Sequence, residues 1–207
     1  METAARRYFD SVDHPAVDRY LESHGLTQTL VRPFRLGYVD KPLDNSHHGF
    51  VGMLAIPYLR QNALGEWRVI QLKFRCLTEG CDHSNHSGGK YAQVGGQQLH
   101  LYNTIELIRQ HDEIALCEGE IDTIAATVAG VPAVGLPGAN AWQSFYRVIF
   151  EGLKTVRVFP DGDHGGADLW KAVSTSLNNA HRIDLGQGHD VCSWIKAHSA
   201  EQFRGLA

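Results

Sequence analysis

Short apolar runs alternate with helical patterns throughout the second half of the chain. The apolar runs predict four β-strands, at residues 113–117, 133–136, 155–159 and 181–185. Apolar positions at helical spacing predict four helices, at residues 121–129, 141–151, 167–178 and 190–197. Strands that alternate with helices pair in parallel, so this half is predicted to be an open α/β sheet with its active crevice at the carboxyl ends of the strands.

The first half carries a different pattern, which predicts a smaller α+β subdomain. Residues 14–24 have apolar side chains at helical spacing, with Pro15 in the first turn and Gly25 after the last. Residues 50–59 and 66–74 predict two antiparallel strands, joined by a connector that is rich in turn residues. The boundary between the two halves is predicted between residues 108 and 109.

Two basic residues share one face of the second strand of this predicted hairpin. Strand alternation places Lys73 and Arg75 on the same side, and Lys90 and Tyr91 follow after a glycine pair. Two cations on a strand face are often only solvated. The nearby Lys90 favours the alternative, which is a groove that binds an anion.

The composition is typical of a soluble globular protein. Of the 207 residues, 43% are hydrophobic and 20% are charged. No run approaches the roughly 18 apolar residues that are needed to cross a bilayer. The N-terminus has two arginines but no apolar segment behind them, so a signal peptide is not predicted and a cytoplasmic location is expected.

The charge is distributed unevenly along the chain. The net charge of −4 by itself disfavours nucleic-acid binding. However, residues 1–110 carry 12 basic and 11 acidic side chains, whereas residues 111–207 carry 7 and 12. An acidic half beside a nearly neutral half suits metal chemistry on a polyanion, although a solvated acidic surface would give the same totals. The clustering of the acids favours the metal chemistry.

A compact group of thiols and imidazoles follows the predicted hairpin. His83 and His86 follow Cys76 and Cys81 within a few residues. Two thiols and two imidazoles could complete a tetrahedral zinc site. The spacing matches no common zinc-finger pattern, and a polar, histidine-rich loop is the alternative.

Three carboxylates crowd the turn after the first predicted strand of the second half. They are Glu118, Glu120 and Asp122, and Gly119 lets the backbone turn sharply between them. Acids favour the N-terminus of a helix, which accounts for Glu120 and leaves Asp122 as a supporting residue. Glu118 lies at the strand end, where its charge is best neutralised by a divalent cation such as Mg²⁺.

More acids follow the later strands. Asp161 and Asp163 come after the third predicted strand, and Asp190 comes after the fourth. Because parallel strands end at one edge of a sheet, these side chains are expected to meet Glu118 there. Together they could hold two Mg²⁺ or Mn²⁺ ions, which activate an attacking oxygen and neutralise a leaving phosphate.

These motifs resemble the Toprim domain that bacterial-type DNA primases share with topoisomerases and small nucleases. The resemblance lies in Glu118-Gly-Glu-Ile-Asp122 and in Asp161-Gly-Asp163-x-x-Gly166. The first half is similar to the basic subdomain that precedes Toprim in primases, through pieces such as Lys73-x-Arg75 and Lys90-Tyr91. The resemblance implies a Rossmann-like Toprim α/β domain at residues 109–207, preceded by a smaller α+β basic subdomain at residues 1–108.

The resemblance also implies a role for each residue. Glu118 would manage the proton of an attacking 3′-hydroxyl or bind metal, and Gly119 and Asp122 would support the site. The residues implied to hold Mg²⁺ or Mn²⁺ are Glu118, Asp161, Asp163 and Asp190. The residues implied to contact nucleotides or template are Lys73, Arg75, Lys90 and Tyr91.

The resemblance implies a DNA primase catalytic core of phage-like size. Such a core makes short RNA primers on single-stranded DNA from NTPs by two-metal-ion nucleotidyl transfer. A separate replicative helicase and a template-recognition module are expected as partners, because nothing before residue 15 or after the last predicted helix supplies them.

Two other functions stay open at this point. A Toprim nuclease would use the same carboxylates to hydrolyse phosphodiesters. A non-catalytic DNA-binding adaptor in a replication or recombination complex is a third possibility. The full set of acids disfavours the adaptor, since DNA binding alone favours fewer negative charges.

Overall fold

The computed structural model describes residues 1–83, 89–96, 98 and 100–207 of the chain. The chain divides into two compact units, Met1–Gln98 and Leu99–Ala207. Within the described ranges, every helix is too short or too polar to cross a lipid bilayer.

The first unit is built around a four-stranded antiparallel sheet in the order β1–β2–β3–β4. Its strands are β1 (Gly37–Tyr38), β2 (Leu54–Gln61), β3 (Trp67–Arg75) and β4 (Tyr91–Gln93). Strands β2 and β3 pair with each other, which confirms the predicted hairpin. The turn between them closes through Gly65, whose φ of +75° lies in the left-handed region that favours glycine.

The α-helices found in the described part of this unit are α1 (Glu2–Asp10), α2 (Pro15–Ser23) and α3 (Gln28–Val31). The prediction of a helix at residues 14–24 is confirmed, and the Nδ1 atom of His14 caps it by accepting the N–H of Ala16 at 3.2 Å. Helix α1 was not predicted, because only three of its residues, Ala4, Ala5 and Tyr8, are buried. Two alanines and one tyrosine leave too weak an apolar pattern in the sequence.

An aromatic group forms the centre of the first unit's core. The rings of Phe50 and Phe74 stack with centroids 4.1 Å apart, and Tyr8 contacts Phe74 edge-on at 6.4 Å. The Tyr8 hydroxyl lies 2.7 Å from Nδ1 of the buried His47. These contacts fasten α1 and the irregular segment before β2 to the middle of the sheet.

The second unit contains a four-stranded parallel sheet in the order β6–β5–β7–β8. Its strands are β5 (Glu113–Cys117), β6 (Ala133–Gly135), β7 (Thr155–Phe159) and β8 (Ala180–Arg182). All three pairings are parallel, as the alternation of strands and helices predicts. Strands β5 and β7 are the two central neighbours, so the residues that follow them meet at the carboxyl edge of the sheet.

The helices of this unit are α4 (Glu120–Val128), α5 (Arg147–Phe150), α6 (His164–Ser176), α7 (Val191–Ala197) and α8 (Ala200–Leu206). The predicted helix at 141–151 begins later than expected, because only residues 144–150 are continuously helical, as a 3₁₀ turn (Ser144–Tyr146) that leads into α5. Trp142 has an extended backbone, with φ −63° and ψ 126°, and its indole N–H donates to the Ser176 hydroxyl at 2.9 Å. Packing of this large ring against α6 therefore outweighs the local helical preference.

The segment that opens the second unit is bonded to the edge strand β6. The N–H of Tyr102 donates to the Gly135 carbonyl at 2.8 Å, and the N–H of Gly135 donates back to the Tyr102 carbonyl at 3.1 Å. Leu101 and Leu107 also pack on the core of this unit. These contacts explain why the second unit begins at Leu99, earlier than the boundary predicted between residues 108 and 109.

We expect Gly37→Ala to lower the free energy of unfolding by about 1–3 kcal/mol, the usual range for an overpacked core. A Cβ atom at this position would come within 2.5 Å of the Tyr8 carbonyl carbon and 2.7 Å of the Phe9 nitrogen. Chemical denaturation measures the loss. The matched control is Gly49→Ala, whose Cβ would meet nothing within 4 Å. Equal stability of the two variants would contradict the close packing of α1 on β1.

Candidate active site

Glu118 and Asp161 lie side by side at the carboxyl ends of the two central strands. Glu118 directly follows β5, and Asp161 follows β7 after a single proline. The backbone N–H of Asp161 donates to Oε2 of Glu118 at 3.3 Å. The parallel pairing of β5 with β7 therefore brings these two predicted site residues together.

Asp122 joins this group from the first turn of α4. Its Oδ1 atom accepts the backbone N–H of Cys192, at the start of α7, over 3.1 Å. Burial raises the pKa of Asp122 to about 6, and the negative charge of Asp190 adds to that shift. Asp122 thus connects α4 to the helix that follows Asp190.

Two loops interlock beside these carboxylates and set the position of Asp161. The N–H of Gly162 donates to the His189 carbonyl at 2.9 Å, and the N–H of Gly188 donates to the Gly162 carbonyl at 3.1 Å. A Cβ on Gly162 would lie 2.3 Å from the Gly186 carbonyl oxygen, so only glycine fits there. The loop after β7 is therefore fastened to the loop that leads to Asp190.

Asp163 and Asp190 each cap a helix. Oδ1 of Asp163 accepts the N–H of Gly166 at 3.0 Å at the start of α6. Oδ1 of Asp190 accepts the N–H of Ser193 at 2.7 Å, and the Ser193 hydroxyl accepts the N–H of Asp190 at 3.0 Å. Capping thus explains part of the preference for aspartate at both positions.

The carboxylates repel one another, which raises their pKa values further. Burial raises the pKa of Asp161 to about 8 and raises that of Glu118 as well. The charges of Asp122 and Glu118 increase the shift at Asp161, while the N–H of Asp161 partly offsets the shift at Glu118. A partly buried set of acids with raised pKa values is a common property of catalytic and cation-binding sites.

The oxygen atoms of these acids are close but not gathered into a tight triad. Over residues 1–83, 89–96, 98 and 100–207, no three acidic side chains place one oxygen each within 4.8 Å of the others. Mg²⁺ does not require such a triad, since it keeps several water ligands and is usually held by one or two carboxylates. The donor set therefore fits a divalent cation chemically.

Glu120 lies in the first turn of α4, as predicted, but it is not a surface acid. Glu120 is only 1% exposed. Burial raises the pKa of Tyr102, and the negative charge of Glu120 adds to that shift. The sequence gives no sign of this burial, because Glu120 alternates with two other acids at a turn. The electrostatic contact between Glu120 and Tyr102 was likewise not predicted from the sequence.

The basic residues of the first unit are more enclosed than a solvated strand face would be. Lys73 is 7% exposed and Arg75 is 8% exposed. The ammonium of Lys73 lies 4.6 Å from the centre of the Tyr91 ring, and the guanidinium of Arg75 lies 5.0 Å from it. Arg75 also contacts Tyr20 at 5.2 Å. Lys90, which precedes Tyr91, is exposed.

The cysteine and histidine cluster is drawn together in part. One donor atom each from Cys76, Cys81 and His83 lies within 4.8 Å of the others. His86, the fourth predicted ligand, lies outside the described residues. The three that are described belong to the first unit, as do the basic residues above.

Known proteins with similar sequences include one from a phage and several bacterial primases. The chain is 37% identical over 150 residues to the Gene 57 protein of Mycobacterium phage D29, a match that covers 72% of this chain and 94% of that protein. It is 26% identical to the DNA primase of Pseudomonas aeruginosa, across 99% of this chain but 36% of that primase. No protein-family model matches the sequence.

Solved structures with the same fold include two primase catalytic domains. The E. coli primase catalytic core superposes with a TM-score of 0.74 at 21% identity, covering all of this chain and 77% of that one. A DnaG primase catalytic domain bound to single-stranded DNA gives a TM-score of 0.73 at 20% identity, covering 100% and 76%. At such identities the similarity shows the fold alone.

We expect Asp161→Asn to stabilise the metal-free protein at pH 8 but not at pH 4. The unfolded carboxyl ionises with a pKa near 3.9, whereas the folded one holds its proton up to about 8. The free energy of unfolding of the wild type therefore falls as the pH rises between these values. Asparagine does not ionise, so the variant does not lose this stability. The gain in Tm should be about 3–8 °C at pH 8 in EDTA, measured by calorimetry.

The matched control is Asp168→Asn, an exposed acid of α6 whose carboxylate lies 3.3 Å from His164. It should change Tm little over the same pH range. A gain for Asp161→Asn that did not depend on pH would contradict the electrostatic cause.

Proposed function

The chain belongs to the family of bacterial and phage DNA primase catalytic cores, and we propose that it synthesises short RNA primers on single-stranded DNA. The chain spans nearly all of the phage relative but about a third of the bacterial primases that it matches. Its own activity, substrates and partners are therefore proposals. In this proposal, the unit Leu99–Ala207 is the Toprim domain and the unit Met1–Gln98 is the basic α+β subdomain.

One observation supports this function more than any other. Glu118 and Asp161, at the ends of neighbouring strands, lie near Asp122 at the start of α4. Burial raises the pKa of all three carboxyl groups. A fold that needed only stability would avoid this repulsion. Nucleotidyl transfer explains it, since the reaction needs divalent cations next to phosphates.

The residues that would hold Mg²⁺ or Mn²⁺ are Glu118, Asp161 and Asp163, with support from Asp190. Two such ions, when bound, neutralise charge on the phosphates and make a 3′-hydroxyl more acidic. Their binding would also keep the Asp161 carboxyl ionised at neutral pH, against the upward shift in its pKa. The metal and the acids would thus stabilise each other.

The neighbouring groups would keep these acids in position. Glu118 accepts the N–H of Asp161, and in this proposal it would accept a proton from a nucleotide hydroxyl or bind metal. Asp122 would orient the site through its bond to Cys192. Gly119, predicted to allow a sharp turn, instead has an extended backbone with φ −138° and ψ 170°, and a Cβ there would lie 3.6 Å from Oδ2 of Asp122, so the turn does not require glycine.

The first unit would supply contacts to nucleotides and template. Tyr91 would offer a ring on which a base can stack, and Lys73 and Arg75 beneath it would hold that ring and add positive charge. Lys90 is exposed and would meet a phosphate directly. A structural relative bound to single-stranded DNA supports the same class of template for this chain. A separate helicase and a template-recognition module complete the proposed set of partners.

A primer-synthesis assay tests the proposal. The protein is incubated with single-stranded DNA, labelled NTPs and Mg²⁺ or Mn²⁺, and we expect short RNA products. Glu118→Gln and Asp161→Ala should reduce product at least about 100-fold, because each removes an oxygen ligand from the metal site. Asp168→Ala, an exposed acid on α6, is the control and should retain activity.

Other outcomes of this assay would select a different function. Template degradation without new RNA, abolished by the same two variants, would indicate a nuclease. Retained DNA binding with neither product, even after addition of a replicative helicase, would indicate an adaptor.

We expect Lys90→Ala to weaken binding of single-stranded DNA several-fold and to lower the slope of log affinity against log salt by about 0.7. The reason is the loss of a single phosphate contact. Fluorescence anisotropy at several salt concentrations measures both values. The control is Lys154→Ala, which removes an exposed lysine just before β7. This lysine lies at the amino end of the strand, whereas the acids follow the carboxyl ends of β5 and β7. An equal effect of the two variants would refute a specific role for Lys90.

A further inference from the structure

We propose that Cys76, Cys81 and His83 form a zinc-binding site in the first unit, which goes beyond the proposed primase activity. The two thiol sulfurs and one imidazole nitrogen lie within 4.8 Å of one another. Over the described residues, this is the single group of three or more potential metal ligands that is gathered so closely. The acids of the second unit do not form such a group.

The backbone around the cluster brings the ligands together. Cys76 directly follows β3, and its N–H donates to the Lys90 carbonyl at 3.1 Å, so the first ligand is fixed to the sheet. The chain then turns back through Gly80, whose φ is +69°, and the N–H of Cys81 donates to the Thr78 carbonyl at 3.4 Å. This tight turn returns the second thiol to the side of the first.

The third ligand occupies an unusual backbone conformation. His83 has φ of +60°, in the left-handed region that non-glycine residues rarely adopt. Such a conformation costs on the order of a few RT and persists where surrounding interactions determine it. A bond from the imidazole to a metal is an interaction of the required strength.

The ligand chemistry selects zinc over the cations expected at the acidic site. Thiolate and imidazole ligands suit Zn²⁺, whereas Mg²⁺ requires oxygen. Zn–S bonds of about 2.3 Å place neighbouring ligand atoms of a tetrahedron about 3.8 Å apart. The cluster therefore needs to contract by only about 1 Å, which side-chain rotation can supply. Three protein ligands leave a fourth position for water or another donor.

The cluster is accessible to ions from solution. It borders an open depression of about 690 Å³, whose walls include all three ligands together with Tyr20, His24 and Arg75. Cys76 is buried, while Cys81 and His83 are partly exposed. A metal ion could therefore enter and leave without unfolding of the unit.

The metal would have a structural effect on the neighbouring arginine. Nη1 of Arg75 donates to the Cys76 carbonyl at 2.7 Å, and the same guanidinium lies against the rings of Tyr20 and Tyr91. Zinc bound to the Cys76 thiolate would therefore also hold the Cys76 carbonyl in place, and with it the hydrogen bond that orients Arg75. Zinc bound at this site would stabilise the end of β3.

A disulfide between the two cysteines is the competing outcome. All four cysteines of the chain lie in the described part, and none is in a disulfide. Oxidation of Cys76 and Cys81 would remove both thiolates from the zinc site. The test must therefore be made with thiols kept reduced and counted.

Metal analysis of the 207-residue chain, expressed with added zinc and kept under reducing conditions, tests the proposal. We expect about one zinc per chain, with Cys76→Ser and Cys81→Ser together reducing it at least about tenfold. His83→Ala should weaken zinc retention against a chelator. Cys192→Ser, which removes a buried thiol of the second unit, is the matched control and should keep its zinc.

A second measurement does not depend on variants that could misfold. Cobalt added to the metal-free wild type should give a thiolate-to-cobalt charge-transfer band and the visible absorption of a tetrahedral site. Wild-type protein with four titratable thiols, no stoichiometric zinc and no such spectrum would overturn the proposal. Neither measurement requires primer synthesis, so failure of the primase assay would leave it standing.

Discussion

Repulsion among partly buried carboxylates is the constraint on which the second unit depends. Glu118, Asp122 and Asp161 all have raised pKa values, and burial is the largest cause for each. The fold holds them together through backbone N–H groups, from Asp161 to Glu118 and from Cys192 to Asp122. Hydrogen bonds of this kind favour the charged form but do not cancel the repulsion. Under the proposed function, a bound divalent cation would relieve this repulsion.

Glycine makes this crowding geometrically possible. A Cβ on Gly166 would lie 2.0 Å from the Asp161 carbonyl oxygen, so the start of α6 must approach the loop after β7 without a side chain. Gly162 plays the same part towards the loop before Asp190. Because both positions are glycine, the loop after β7 can pack closely against the start of α6 and against the loop before Asp190. Any other side chain would clash at either position. The acids are thus positioned by backbone contacts more than by their own side chains.

The sequence predicted the sheet well because its strands are short buried runs with clear ends. Strands β5 and β7 have the predicted bounds, 113–117 and 155–159, and the acids that follow them lie where parallel pairing requires. Strand β8 was predicted later and longer than it is, at 181–185, since its residues are mostly exposed and carry little apolar signal.

Tertiary packing accounts for what the sequence did not predict. The Trp142 contact with α6 breaks the expected helix, and the burial of Lys73, Arg75 and Glu120 depends on partners that alternation cannot identify. Periodicity gives the face on which a side chain lies, but not what covers that face. The compact cysteine and histidine group, by contrast, could be predicted because its members are close in sequence, and the structure brings donor atoms of Cys76, Cys81 and His83 within 4.8 Å of one another.

The double hydrogen bond between Tyr102 and Gly135 has a consequence for self-association. Strand β6 is an edge of the parallel sheet, and unpaired edges are templates on which other chains can add a strand. Tyr102 occupies that edge within the same chain. The opposite edge, β8, is three residues long and carries exposed His181 and Arg182, features that discourage such addition. Both borders of the sheet thus carry features that disfavour the addition of a strand from another chain.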